Sequence, residues 1–351
     1  MAQPLTDAIN ALTRYANETT GADDQTLSEA VGTLVAGYGQ GGGDDWLKRD
    51  SKTHLHIDIP SNPLLDVTLT IWQSNANGIT IDWGDGSPTE TPSSSGVHSI
   101  PHTYGAKGEY EITITRNIGT FATSSGSSAG RMVFSPSNTQ YRNSPNCVLL
   151  KVEIGDGFDL SKGFLFAGCG NLTDVVVTGN AVKETLGGRA LEGTLVTDFD
   201  LSGFTGYQTY SFMNSKIRKH EMLDGVTATS YGIFSGTTSL AELTLKEGLE
   251  TIATASFSGC YSLTEVTIPS TVTKIEAQAF QNCYGLGDVH LLPTTPPTLS
   301  NANAFSGDTG VGASPTVRFL VPYSEDHSIL HAYQNSTNWS TYAQYMEEEG
   351  E

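Results

Sequence analysis

Cysteine is scarce, with four in 351 residues, which excludes a dense disulfide scaffold as the source of stability. Basic side chains are scarce too. Eighteen Lys and Arg stand against 38 Asp and Glu, a formal charge of −20 with a pI near 4.6. A chain this acidic is repelled by phosphate backbones, so nucleic acid is excluded as an expected partner. No apolar run approaches the roughly 20 residues that span a bilayer, and no membrane association is expected. The opening MAQPLTDAINALTRY lacks a basic stretch followed by an apolar one. The expectation is a chain without a secretory leader, folding where thiols stay reduced. Catalytic signatures are missing as well. No His/Asp/Ser set or metal-ligand cluster stands at a recognisable spacing, so no enzyme activity, cofactor or metal is expected. Gly126-Ser-Ser128-Ala-Gly130 has the spelling of a nucleophile elbow, but it lies in SSGSSAG without the flanking strand and helix such an elbow needs. Gly37-x-Gly39-x-x-Gly42 follows a helical pattern rather than a strand, and reads as a linker, not a dinucleotide site.

What the chain does have is glycine, 38 residues, with abundant Ser and Thr. That composition favours short strands and many turns, hence a mainly β fold. Residues 1–43 are the helical exception. Leu5, Ile9 and Leu12 share one helical face, and Leu27, Val31, Leu34 and Val35 share another. Thr26-Leu-Ser-Glu29 is a capping box at the start of the second helix. Two such short helices cannot bury enough surface alone, so these residues are the candidate anchor to a partner.

Residues 44–118 carry alternating patterns at 54–59, 67–71, 79–83 and 110–114, separated by turn clusters, which predicts a small antiparallel sandwich. Asp82-Trp83-Gly84-Asp85-Gly86, then His102-Thr-Tyr104, Gly108 and Tyr110, resemble the polycystic-kidney-disease (PKD) type of immunoglobulin-like domain. An aromatic common between Trp83 and Gly84 is absent. The resemblance implies a spacer or binding module. Asp82 and Asp85 are read as turn formers rather than calcium ligands, and His54-x-His56 as a solvated strand face.

Residues 119–322 are dominated by a repeat. Seven hexamers align: LLKVEI (149–154), LTDVVV (172–177), VTDFDL (196–201), IRKHEM (217–222), LAELTL (240–245), LTEVTI (263–268) and LGDVHL (286–291). Their first residues lie 21 to 24 apart, the period of a leucine-rich-repeat solenoid with one short strand per coil. Phe166, Leu191, Phe212, Phe234, Phe257 and Phe280 precede the hexamers and should fill the opposite wall of each coil. The wording Phe-x-Gly-Cys-x-x-Leu-x-x-Val-x-Ile-Pro at 257–269 resembles BspA-like (treponemal-type) leucine-rich repeats. Such arrays close with a strand and a short helical segment. Residues 323–351, with Ile329, Tyr333, Trp339, Tyr342 and Met346, fit that cap. The expected architecture is a short α-helical N-terminal segment, a PKD-like β-sandwich, and a leucine-rich-repeat solenoid with a C-terminal helical cap.

Within each hexamer, positions two, three and five face outward, and three and five form the stacked columns. This gives a candidate partner-binding face of Asp174, Asp198, Asp200, Glu221, Glu242, Thr244, Glu265, Thr267, Asp288 and His290. Glu242, Glu265 and Asp288 should stack as like charges on neighbouring strands. Cys260 and Cys283 share one repeat position with Cys169 and Thr237, which reads as a small buried slot, with oxidation between neighbouring coils left open. The N-terminal stretch also resembles the N-terminal segment of structural proteins of tailed phages. The expectation is a phage-particle fibre, decoration or adhesion protein. Its N-terminus would bind a virion head or tail protein, its solenoid a host surface glycan or protein, and the chain would form a homo-oligomer, by expectation a trimer. A bacterial cell-surface BspA-like adhesin is the alternative, and a glycan-acting enzyme the third reading.

Overall fold

The computed structural model describes residues 51–59, 66–123, 148–307 and 317–350. The chain divides into two units, Met1–Asp50 and Ser51–Glu351. The first, with the anchor residues Leu5, Ile9, Leu12, Leu27, Val31, Leu34 and Val35, lies outside the described residues, as do Ser128 and Cys147.

The second unit opens with β1 (Thr53–Ile59), β2 (Asp66–Gln73), β3 (Ile79–Asp82), β4 (Gly96–Thr103), β5 (Gly108–Arg116) and β6 (Phe121–Ala122). They form two antiparallel ladders, β3-β5-β1 and β4-β2-β6. Strict alternation drives Leu55, Ile57, Ile59, Val67, Leu69, Ile71, Ile79, Ile81, Ile112 and Ile114 into one core, each 2% exposed or less. Two of the six strands were not legible. GVHSIPHT in β4 buries only Ile100, so its apolar alternation is too weak to register, and the two residues of β6 are too few.

The solenoid follows. One row of strands comes from the hexamers: β7 (Leu149–Ile154), β8 (Asp174–Val177), then, after two strands of a second row, β9 (Thr185–Leu186) and β10 (Gly206–Tyr207), β11 (Lys219–Glu221) and β12 (Glu242–Thr244). β13 (Thr251–Ile252), β14 (Glu265–Ile268), β15 (Lys274–Ile275), β16 (Asp288–Leu291), β17 (Thr298–Leu299), β18 (Arg318–Val321) and β19 (Met346–Glu348) continue both rows. All solenoid pairings are parallel, one coil to the next. The second row has only two residues per strand, below what a periodicity reading resolves. The hexamer at 196–201 alternates in burial but forms no ladder. Asp200 instead closes a local turn by accepting the Ser202 N–H at 2.8 Å.

Leu149, Leu172, Val196, Ile217, Leu240, Leu263 and Leu286 are buried, and so are the six residues predicted for the opposite wall. Phe212, Phe234, Phe257, Phe280 and Phe305 form a continuous stack with centroids 4.9 to 5.9 Å apart and planes within 17°. Just after each of these aromatics the backbone turns left-handed. Asn214, Gly236, Gly259, Asn282 and Gly307 fill that column. A Cβ at Gly236 would lie 2.1 Å from Asn214 Oδ1, so an asparagine in one coil demands glycine in the next.

The two ends are closed differently. At the start, β7 pairs antiparallel with β1, placing Leu55 beside Val152 and His54 beside Glu153. The sheet order β3-β5-β1-β7-β8 therefore runs unbroken from sandwich into solenoid. Phe121 bridges to Phe158 at 5.4 Å, and Gly155 lets the chain pass where a Cβ would sit 2.2 Å from the Lys52 carbonyl oxygen. The sandwich thus supplies the capping surface that a first coil lacks. At the far end, Phe305 meets Phe319, Trp339 and Tyr342. Trp339, Tyr342 and Tyr333, the last on α1 (Ser328–Asn335), are buried. Their polar tips donate to carbonyls of the last coil: Trp339 to Pro297 and Tyr333 to Pro293 at 2.7 and 2.8 Å, and Tyr342 to Ala302. Each large apolar surface is buried without stranding its N–H or O–H.

Candidate functional site

The outward positions of the hexamer strands form the candidate face. Asp174, Asp198, Asp200, Glu221, Glu242, Thr244, Glu265 and Thr267 are exposed, and Asp288 and His290 half-buried. Strand register brings some of them together. Lys219 lies beside Glu242 and Glu221 beside Thr244. Glu265 lies beside Asp288 and Thr267 beside His290. Asp174 stands beside Lys151. Asp198 and Asp200 belong to the hexamer without a ladder and stand apart from both blocks.

The expected ladder of like charges is only partly present. Lys219 Nζ reaches Glu242 at 2.9 Å. Arg318 grips Asp288 with two bonds of 2.9 Å and reaches Glu347 at 3.1 Å. The Asp288 carboxylate hydrogen bonds raise the Arg318 guanidinium above its ordinary value. The acidic stack is therefore compensated at both ends, leaving Glu265 between a lysine-paired and an arginine-paired carboxylate. Arg318 escaped the sequence reading because it stands outside the seven aligned hexamers, in VRFLVP, where only the fold puts it next to Asp288. Elsewhere on the face, Lys246 joins Asp224 and Glu221 at 2.7 and 2.8 Å, and His290 meets Glu349 at 2.7 Å.

Other residues singled out in the sequence have structural work. Asp82 accepts the Gly84 N–H, and Asp85 the Ser87 N–H, both at 3.0 Å. Bonds from Ser87, with help from His102 at 2.8 Å, hold the Asp85 carboxyl down at about 2. His54 and His56 are not the solvated face expected of them. His54 bonds Glu111 at 2.8 Å, and His56 lies 3.6 Å from both Glu111 and Glu153, because β1 is flanked by β5 and β7. Among the described residues, no group of three His, Cys, Asp or Glu side chains is arranged to hold a metal ion.

Cys169, Cys260 and Cys283 are buried free thiols. Cys260 Sγ donates to the Phe234 carbonyl at 3.4 Å and Cys283 Sγ to the Phe257 carbonyl at 3.1 Å. Thr237 Oγ1 does the same to Phe212 at 2.8 Å. The slot accepts Cys or Thr because it needs a small side chain with a donor for the carbonyl of the coil before. Burial pushes the Cys260 thiol far above its usual range.

A parallel stack of short coils with an aromatic spine and a ladder of outward polar columns is a leucine-rich-repeat solenoid. The chain belongs to the BspA type leucine rich repeat region family, which matches in six copies within residues 113–218, 160–287 and 205–308, more than half of its length. Similar solved structures include a leucine-rich repeat protein from Bacteroides ovatus ATCC 8483, at 17% identity over 58% of this chain and 55% of that one, TM-score 0.38. A leucine rich cell surface protein from Faecalibacterium prausnitzii A2-165 shares 18% identity over 53% of this chain and 62% of that one, TM-score 0.32. The pneumococcal vaccine antigen PcpA shares 15% over 58% and 78%, TM-score 0.31. The chain thus spans about half to two thirds of the first two proteins. No curated protein sequence matches it.

Proposed function

We propose that this protein is an attachment protein of a phage particle. Its N-terminal segment binds a virion head or tail protein, and the outward face of the solenoid binds a glycan or protein on the host surface. The observation that carries the binding reading is the outward ladder itself. Glu242, Thr244, Glu265 and Thr267 stay exposed at the outward strand positions, while Asp82, Asp85, Cys260 and Cys283 are spent on turns and coil-to-coil bonds. A rigid array of this kind presents an extended surface rather than a pocket. The virion assignment rests on the resemblance of residues 1–43 to phage structural proteins, and the apolar residues that the sequence spaces at helical intervals there suit a homotrimeric bundle.

Mass spectrometry of purified particles tests the assignment: the protein is expected among their components, and its absence sinks the virion reading. Deleting residues 1–43 should abolish particle attachment while leaving the solenoid folded. The second reading, a bacterial cell-surface adhesin, is favoured by the family membership alone. It predicts the protein in the cell-envelope fraction of bacteria that release no particles.

A further inference from the structure

Position four of each hexamer points into the core, and six of the seven copies hold Val, Phe or Leu there: Val152, Val175, Phe199, Leu243, Val266 and Val289. The exception is His220, 5% exposed. Its Nε2 accepts the Tyr207 hydroxyl at 3.1 Å, and that hydroxyl accepts the Leu223 N–H at 3.1 Å. The rings of Tyr207, Phe212 and Phe234 surround the imidazole at centroid distances of 5.5, 6.0 and 4.6 Å. Among the described residues the one titratable group bonded to it is the Tyr207 hydroxyl, and burial alone lowers the imidazole, to about 3. Its neighbours Lys219 and Glu221 point outward, toward Glu242 and Lys246.

The coil lies beside an irregular stretch of the hexamer row. It follows the hexamer that forms no ladder, and β11-β12 and β9-β10 are each isolated two-stranded sheets. The repeat leading into it is the shortest, 21 residues from Val196 to Ile217. A core position that is apolar in the other six hexamers thus holds an imidazole here, between coils joined by bonds from the Tyr210, Phe212 and Asn214 N–H groups to the Tyr231, Ile233 and Ser235 carbonyls. We propose that the coil around His220 is an acid-sensitive breakpoint of the solenoid: charging of this imidazole opens the coils at Phe212 and Phe234 while the sandwich and the C-terminal cap stay folded.

Cys260 is a built-in reporter, because its thiol is buried against the Phe234 carbonyl, next to the ring that touches His220. The test uses the full chain with Cys147→Ser, Cys169→Thr and Cys283→Thr, so that Cys260 alone reacts. Labelling by 4,4′-dithiodipyridine is measured at pH 7.5 and 4.5 against a free thiol, while fluorescence of Trp83 and Trp339 follows the two ends. With an ordinary imidazole in the open state, the open fraction rises roughly 90-fold between those pH values. Relative labelling should rise by that order with the tryptophan signals unchanged, and His220→Leu, which copies Leu243, should remove the rise. Equal acceleration in His220→Leu, no acceleration, or simultaneous loss of the tryptophan signals each overturns the proposal. Should His220→Leu and His220→Val both fail to fold, NMR titration of the wild-type imidazoles decides. One of the eight must stay neutral at pH 5 while the fold is intact, and titration of all eight near 6.5 refutes the breakpoint.

Discussion

Replacing Phe257 probes the aromatic spine at its centre. The side chain is fully buried and stacks on Phe234 at 5.9 Å and on Phe280 at 5.2 Å. Truncation to alanine removes the transfer free energy of most of a benzyl group and leaves a cavity. The cavity cannot collapse easily, because the coil spacing is set by backbone pairing on both sides, including Thr251 with Lys274 and Ile252 with Ile275. Phe→Ala at such a site costs about 3–5 kcal/mol. Leucine fits the same place one wall along, as Leu191 shows by filling it at 1% exposure. Phe257→Leu keeps most of the volume and should cost only about 1–1.5 kcal/mol. Urea unfolding of the full chain, followed by far-UV circular dichroism and by tryptophan fluorescence, measures both. Because each coil contacts mainly its neighbours, the loss should appear in the solenoid transition and leave the sandwich signal from Trp83 in place. A cost below about 1 kcal/mol for Phe257→Ala, or equal costs for the two variants, would refute the claim that stacked rings carry the core.

Three further outcomes follow from the same structure. Cys260→Thr should be close to neutral, since Thr237 fills the equivalent slot with the same bond, whereas Cys260→Ala should cost about 1 kcal/mol by removing the thiol's bond to the Phe234 carbonyl, which keeps the Thr237 N–H; chemical denaturation separates them. Asp85, held at about 2, has a folded pKa below its unfolded value, so its contribution to sandwich stability is complete above pH 4 and is lost as pH falls toward 2. Asp85→Asn should flatten that acid limb in melts followed across the range. Arg318→Ala removes the bridge from Asp288 to Glu347 on an exposed surface, so the loss should be small and shrink further in high salt, as thermal melts at two ionic strengths would record.

The solenoid was legible because its signal is repeated. A single hexamer such as LTEVTI reads equally as any short strand, but seven in phase fix both the inward residues and the coil spacing, and Leu149 to Leu286 are all buried. The cap was legible for a related reason: Tyr333, Trp339, Tyr342 and Met346 are large apolar side chains with nowhere to go but onto the last coil. What stayed hidden depends on which segments become neighbours. The pairing of β1 with β7 joins residues about a hundred positions apart, so the ion pairs of His54 and His56 could not be anticipated from His-x-His alone. Arg318 relieves Asp288 for the same reason. His220 stands in IRKHEM like any strand residue, and its burial in an aromatic pocket beside a tyrosine hydroxyl follows only from Tyr207 arriving from the second row of strands.

Binding of purified full-length protein to host cells, with and without charge reversal on the solenoid, tests the functional account most directly. Glu242→Lys with Glu265→Lys places two cations at the centre of the outward ladder without touching the core. The account predicts that the doubly substituted protein, with circular dichroism and melting unchanged, loses roughly tenfold or more in cell binding, while deletion of residues 1–43 leaves that binding intact. Wild-type binding by the charge-reversed protein would contradict the assignment of this face as the contact surface.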